Sequence, residues 1–255
     1  DPKGKLGTHS MRLALLTEGT TTRNSTQIAE EQERLGANIS ARASLDRTTV
    51  SLYSLVPNLA LSLDLMADIV KNPAFDPKEL ERLRAQQLAT IAQENTDPLG
   101  LARRALPPLL YGAAHPYGIA LSGTGDPAVV EKLTRADLTA FHDQWLRADN
   151  AEIFAVGATS LADLLPLLEA RFGAWKPTQV PAGRKNFEVK IPDRAERIVL
   201  IDRPQSPQSM ILAGQVLDKL GSDDLVALEA GNDVLGGNFL SRINMDLRET
   251  RGWSY

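Results

Sequence analysis

The chain contains no cysteine. That excludes disulfides, thiolate metal sites and a cysteine nucleophile, and leaves the compartment open. Histidine is nearly as scarce: His9, His115 and His142 are the only three, far apart along the chain. Any imidazole-based site would have to be gathered from distant segments. Aromatic residues make up 5% of the 255, so a core must rest on aliphatic packing. No apolar run approaches the ~20 residues of a membrane-spanning helix. Charge of one sign is lacking too: 28 Lys+Arg face 32 Asp+Glu, a formal net charge of −4 with no block of like charges. Without a basic stripe, no nucleic-acid partner is expected. Asp1 is not an initiator methionine and nothing resembling a signal peptide is present, so the chain is expected to be processed or cut from something longer.

What is present is ample apolar material, 43% of residues, for one large or two modest domains. Met11–Leu16 reads as a short helix stopping at Glu18-Gly19-Thr20. Asn24 with Gln27 three residues on resembles a capping box opening a helix through Arg34, ended by Gly36. Ala37–Ser44 and Thr48–Val56 are predicted strands around a polar turn. A helix starts at Pro57-Asn58, with Leu59, Leu63, Met66 and Val70 on one face, and closes at Asn72-Pro73. Asp76-Pro77-Lys78-Glu79 opens a long helix to about Asn95, and Asp97-Pro98 opens another to Leu110. After a Gly/Pro-rich loop over 111–125, helices are expected over Thr134–Trp145 and Ser160–Phe172, with a buried strand at Ala151–Val156 between them. Beyond that, Glu196–Ile201 and Gln208–Val216 read as strands, Asp223–Leu235 and Ser241–Glu249 as helices, and Trp253 as the start of another strand.

The pattern repeats. Leu16-Thr17-Glu18-Gly19, a helix, then Arg34-Leu35-Gly36 parallels Leu235-Gly236-Gly237, a helix, then Arg251-Gly252. The expected organisation is a first domain over 1–176 with its start missing, a linker over 177–189, and the beginning of a second, homologous domain over 190–255. A domain ending on an incipient strand leaves an uncovered sheet edge, so the polypeptide is expected to continue past Tyr255.

Three stretches in order resemble the insulinase (pitrilysin) family, in particular its processing-peptidase branch. They are Glu18-Gly19-Thr20-x-x-Arg23 with Glu33-Arg34-Leu35-Gly36-Ala37; Asn72-Pro73-Ala74-Phe75 with Glu79-Leu80-Glu81-Arg82, Asp97-Pro98 and His115-Pro116-Tyr117-Gly118; and Leu235-Gly236-Gly237 with Ser241-Arg242 and Leu247-Arg248-Glu249-x-x-Gly252-x-x-Tyr255. The resemblance implies an α+β fold in each domain, helices over a mostly antiparallel sheet. It also implies an inverted zinc motif, H-x-x-E-H, on the helix before Gly-Thr. Registered on Gly19-Thr20, the ligand and base positions fall on Ser10, Leu13 and Ala14, with Met11 and Arg12 between. The family's third ligand, a glutamate, falls where Ala89, Thr90 and Ile91 stand. His9 lies one residue off, and shifting the register to use it puts Arg12 and Leu13 at the remaining positions. None of these side chains is a zinc ligand. No metal is therefore expected in this chain, and zinc is expected in a partner half.

The resemblance further implies that Arg248 and Tyr255, seven residues apart, contact substrate: a guanidinium donating to peptide carbonyls and a phenol to an oxyanion. Against this stands the plainer reading, a surface ion-pairing arginine and a strand aromatic. His115 and His142 read as structural, as do Glu81, Glu94 and Asp97, and Gly236-Gly237 reads as a left-handed helix terminator. The leading expectation is a non-catalytic half that lines a peptide chamber and works with a zinc-bearing homologous half or subunit on unfolded peptides. The alternatives are a structural or assembly protein that has lost proteolysis, and an enzyme with ligands recruited elsewhere. No residue fixes the compartment; the family's bacterial branch points to the periplasm.

Overall fold

The computed structural model describes residues 1, 4–193, 195–217 and 224–254. It divides into two compact units, Asp1–Gly214 and Gln215–Tyr255.

The first unit is a set of helices around one β-hairpin. Helix α1 (Thr8–Leu15) is followed by α2 (Ser25–Leu35), whose N-terminus carries the expected capping box: Asn24 accepts from the Gln27 N–H and the Gln27 side chain accepts from the Asn24 N–H. Strands β1 (Asn38–Ala43) and β2 (Thr48–Tyr53) pair antiparallel with Ala41 opposite Val50. Then come α3 (Leu59–Lys71), α4 (Pro77–Thr96) and α5 (Pro98–Tyr111). Asp76 and Asp97 accept from the first-turn N–H groups of α4 and α5, as their Asp-Pro signatures require. The short α6 (Pro127–Val130), then α7 (Arg135–Trp145) and α8 (Leu161–Phe172) complete the unit.

Two aliphatic clusters hold it together. Met11 and Leu15 of α1 pack with Leu80, Leu83 and Ile91 of α4 and Leu138 of α7. Leu16, Ile28, Ile39, Leu65 and Ile69 form the second cluster, beneath the hairpin.

The Glu-Gly-Thr-x-x-Arg and Asn-Pro-Ala-Phe stretches turn out to be two sides of one joint. The Thr21 N–H donates to the Asn72 carbonyl (2.9 Å) and the Ala74 N–H to the Gly19 carbonyl (3.0 Å). Asp68 of α3 anchors the joint: its carboxylate accepts from Thr20 Oγ1 (2.7 Å), Thr22 Oγ1 (3.0 Å), Asn72 Nδ2 (2.9 Å) and the Arg23 guanidinium. Burial pushes its pKa up, but these hydrogen bonds outweigh burial and hold it below the ordinary value. Asp68→Ala is expected to lose about 2–3 kcal/mol at neutral pH in urea unfolding. Because the folded-state pKa is depressed, that contribution is present above the unfolded value near ~3.9 and fades as pH falls through the folded value. Wild type and variant should therefore converge in acid.

The expected strand Ala151–Val156 is not a strand. Among the described residues the segment pairs with no strand, and Phe154 and Val156 are solvent-exposed. Among the described residues Glu196–Ile201 and Gln208–Val216 likewise form no strand, with Ile198, Leu200 and Ile211 exposed, and none begins at Trp253. Their β-branched composition encodes an extended backbone, whereas a strand exists only when a partner edge supplies its hydrogen bonds. Among the described residues the hairpin is the only sheet. The 177–189 segment runs along the first unit: Arg147 donates to Thr178 Oγ1 and the Val180 carbonyl, the Gly183 N–H to the Gln144 carbonyl (3.1 Å), and Lys185 Nζ to the Leu45 carbonyl and the Asp46 carboxylate.

The second unit carries α9 (Leu225–Asn232), a π turn over Asp233–Gly237, the short α10 (Arg242–Asn244) and a π turn over Met245–Thr250. Asp223, where α9 was expected to begin, lies outside the described residues. Gly236 and Gly237 do not take a left-handed backbone. A Cβ on Gly237 would lie 2.3 Å from the Asp233 Oδ1 side-chain end, which would have to turn aside, whereas one on Gly236 would only touch Ile243 at 3.4 Å.

Candidate functional site

Helix α1 presents two faces at helical spacing. Thr8, Met11, Arg12 and Leu15 are buried, while Ser10, Leu13, Ala14 and Thr17 line a cavity of about 560 Å³ opposite Ile39, Ala41 and Ala43 of β1. The helix is set in place at its start. The Asp1 carboxylate accepts from the Gly7 and His9 N–H groups, both at 2.7 Å. Gly7 itself has φ 102°, and a Cβ there would meet Val130 at 2.7 Å, so only glycine fits.

All three positions that the family pattern assigns to zinc chemistry face this cavity, and their chemistry does not suit a metal. Leu13 and Ala14 offer no donor atom. The Ser10 hydroxyl donates to the Gly123 carbonyl at 2.7 Å. His9 also borders the cavity, but its Nε2 lies 2.8 Å from Thr48 Oγ1 and its ring packs on Phe141 with centroids 5.5 Å apart. Burial, and secondarily the Arg12 charge, push its pKa down to about 4, so it is neutral at physiological pH. On α4, Ala89 and Thr90 are exposed, and Ile91 is 1% exposed inside the Met11–Leu15 cluster. Among the described residues no group of three or more His, Asp or Glu is placed to hold a metal. The residues present do not fit zinc.

The cavity runs along a strand edge that carries no partner strand among the described residues. The Ser44 N–H pairs with the Arg47 carbonyl at the hairpin end (2.8 Å), and the Ile39 N–H turns away from β2 to the Gln32 side chain (2.6 Å). Antiparallel alternation then points the backbone N–H and C=O of Ala41 and Ala43 away from β2 as well. Those groups are available to an added chain.

The singled-out histidines and carboxylates have structural occupations. His115 accepts the Tyr117 N–H at Nδ1 (3.1 Å) and stacks on Tyr111 with centroids 5.1 Å apart. Tyr117 donates to Asp46 (2.8 Å), and burial followed by that bond pushes its pKa up to about 12. His142 sits edge-on to Phe75, its pKa pushed down to about 4 by burial and then by Arg12. Glu81 pairs with Arg84 (3.0 Å) and Glu94 with Arg104 (2.7 Å), and Asp97 caps α5. Arg248 lies in the second unit, stacked 4.4 Å over the Phe239 ring with its Nε 3.5 Å from the Glu249 carboxylate. Tyr255 lies outside the described residues, so its pairing with Arg248 has no geometry here. One buried residue that the sequence marked only as a motif position is Arg12: it occupies an apolar-stripe position and carries a charge.

Two family models match the chain. Residues 5–120 match the insulinase (peptidase family M16) model, and residues 132–255 match the M16 inactive-domain model. The chain is 27% identical over 245 residues to an uncharacterized zinc protease of Mycobacterium tuberculosis, covering 94% of this chain and 54% of that protein. Over 164 residues it is 26% identical to the mitochondrial cytochrome b-c1 complex subunit 1 of Bos taurus, covering 64% of this chain and 34% of that subunit. Among solved structures, the M16 inactive domain from Pseudomonas fluorescens superposes with a TM-score of 0.78 at 28% identity, covering 98% of this chain and 60% of that one. A Helicobacter pylori protease at 19% identity and TM-score 0.74, covering 98% of this chain and 60% of that one, shares the fold. The chain thus spans about half the length of the curated relatives it matches. With both family models met in order and the fold matched throughout, the chain belongs to the insulinase family of M16 peptidases, as a half that carries the family's inactive domain.

Proposed function

We propose that this chain is the zinc-less half of a two-part peptidase and forms part of the wall of its peptide chamber. One observation carries the reading: the vacated positions Ser10, Leu13 and Ala14 face a cavity that runs beside the unpartnered edge of β1. An extended, unfolded peptide would add to that edge through the backbone of Ala41 and Ala43, the mode in which main-chain hydrogen bonds supply affinity. Zinc, general base and attacking water would belong to a homologous half, in the same or another polypeptide. Arg248 and Tyr255 would serve as the Arg/Tyr substrate clamp that the family resemblance implies. The first copy occupies 1–176 and the second opens at 190, joined through 177–189.

The test is peptide binding under chelator, followed by fluorescence anisotropy. Unfolded peptides are expected to bind without being cut. N-methylation of alternate peptide nitrogens should weaken binding at least ~10-fold, because each lost strand bond in a shielded cleft weighs about 1 kcal/mol or more. Equal binding of methylated and unmethylated peptides would remove strand addition.

The likeness to the cytochrome b-c1 subunit favours a second reading, a scaffold that has left proteolysis. Arg248→Ala separates the two in a reconstituted pair. The peptidase-half reading expects a kcat/KM loss of roughly 10- to 100-fold, and an unchanged rate supports the scaffold.

A further inference from the structure

The inward stripe of α1 reads Thr8, Met11, Arg12, Leu15, and the guanidinium in it is 1% exposed. Its only hydrogen bond among the described residues runs from Nη2 to Thr48 Oγ1 at 3.3 Å. Nε and Nη1 are buried donors with no acceptor, and Arg12 forms no ion pair among the described residues. No described carboxylate faces the charge, and a ring face is its one favourable neighbour besides Thr48. Phe141 of α7 lies 5.7 Å away with its ring toward the cation. His9 and His142 both feel the Arg12 charge, and both are neutral at physiological pH. His142 Nδ1 is a further buried polar atom without a partner.

An isolated buried cation of this kind is strongly unfavourable, and arginine does not shed its proton to escape: burial lowers its pKa only to about 10. Something negative is required, and no described carboxylate supplies it. We propose that Arg12 anchors a buried site for a small inorganic anion, chloride in solution, held by the guanidinium between α1, β2 and α7. A monoatomic ion suits the place better than an oxyanion, because among the described residues the one hydroxyl in contact with the guanidinium is that of Thr48, already shared with His9. A buried water could accept the same hydrogen bonds but would leave the positive charge unbalanced.

The experiment uses the full 255-residue chain, unfolded thermally in sodium gluconate, chloride or bromide at fixed ionic strength. The midpoint should climb with the logarithm of chloride, by roughly 5 °C or more at a hundredfold excess over Kd, with gluconate inert. Arg12→Met, which keeps the length and removes the charge, should unfold at a higher temperature than wild type in gluconate and show no chloride response. Crystals grown with bromide should give an anomalous peak within hydrogen-bond distance of Arg12, a readout that stands even should the variant fail to fold. Identical midpoints in chloride and gluconate, a chloride response that survives Arg12→Met, or a bromide crystal with no peak at Arg12 would each overturn the site.

Discussion

Replacing three residues together, Ser10→His, Leu13→Glu and Ala14→His, is expected to raise zinc affinity on the order of 10²–10³-fold over the natural sequence. The helical spacing already aims these positions into one cavity, so two imidazoles and a carboxylate placed there would converge from a single face of α1. Titration against a zinc-sensitive dye reads the change. The improved binding should bring little hydrolysis, because no third protein ligand approaches from α4: Ala89 and Thr90 are exposed and Ile91 is sunk in the core. A natural chain that already bound zinc as tightly as the triple variant would mean that other residues hold the metal.

Supplying the missing glutamate at the core position shows why this half does not easily recover a metal site. Ile91→Glu places a carboxyl among Met11, Leu15, Leu80 and Leu83 with no cation described beside it. Such a group keeps its proton in the folded state, so its folded pKa rises well above the unfolded ~4.3. The variant should lose about 3–5 kcal/mol at pH 7. With the folded pKa raised, the deficit is smallest below the unfolded value and grows by about 1.4 kcal/mol per pH unit above it until the folded pKa is reached. Urea unfolding at acidic and neutral pH checks both magnitude and sign. A variant as stable as wild type at neutral pH would show that position 91 reaches solvent and could host a ligand.

What could be read in advance divides along the range of the interactions. The caps at Asn24, Asp76 and Asp97 appear where expected, because each is settled within four residues by a side chain and nearby N–H groups, and the helices expected from Thr134 and Ser160 start on capping side chains. The hairpin was legible as well, its register closed by a short turn. The segments Ala151–Val156, Glu196–Ile201 and Gln208–Val216 were not, since strand character there depends on an edge far away in sequence. The left-handed terminator expected at Gly236–Gly237 does not form, because a glycine pair permits that backbone without requiring it.

At the site, the placing of Ser10, Leu13 and Ala14 on α1 followed from the family motif, while the cavity they line did not. Nor did the inward turn of Arg12. An arginine at a stripe position reads as a surface residue until α7 and β2 are seen to enclose it. The anchoring of Asp68 was similarly hidden, because Thr20, Thr22 and Arg23 meet it across more than forty residues.

The most direct test is the metal content of the purified chain after incubation with excess zinc and desalting, paired with a peptidase assay on the same sample. A metal-free, inactive chain that still binds unfolded peptide is expected. One tightly held zinc per chain, with peptide cleavage abolished by chelator, would contradict a zinc-less half outright.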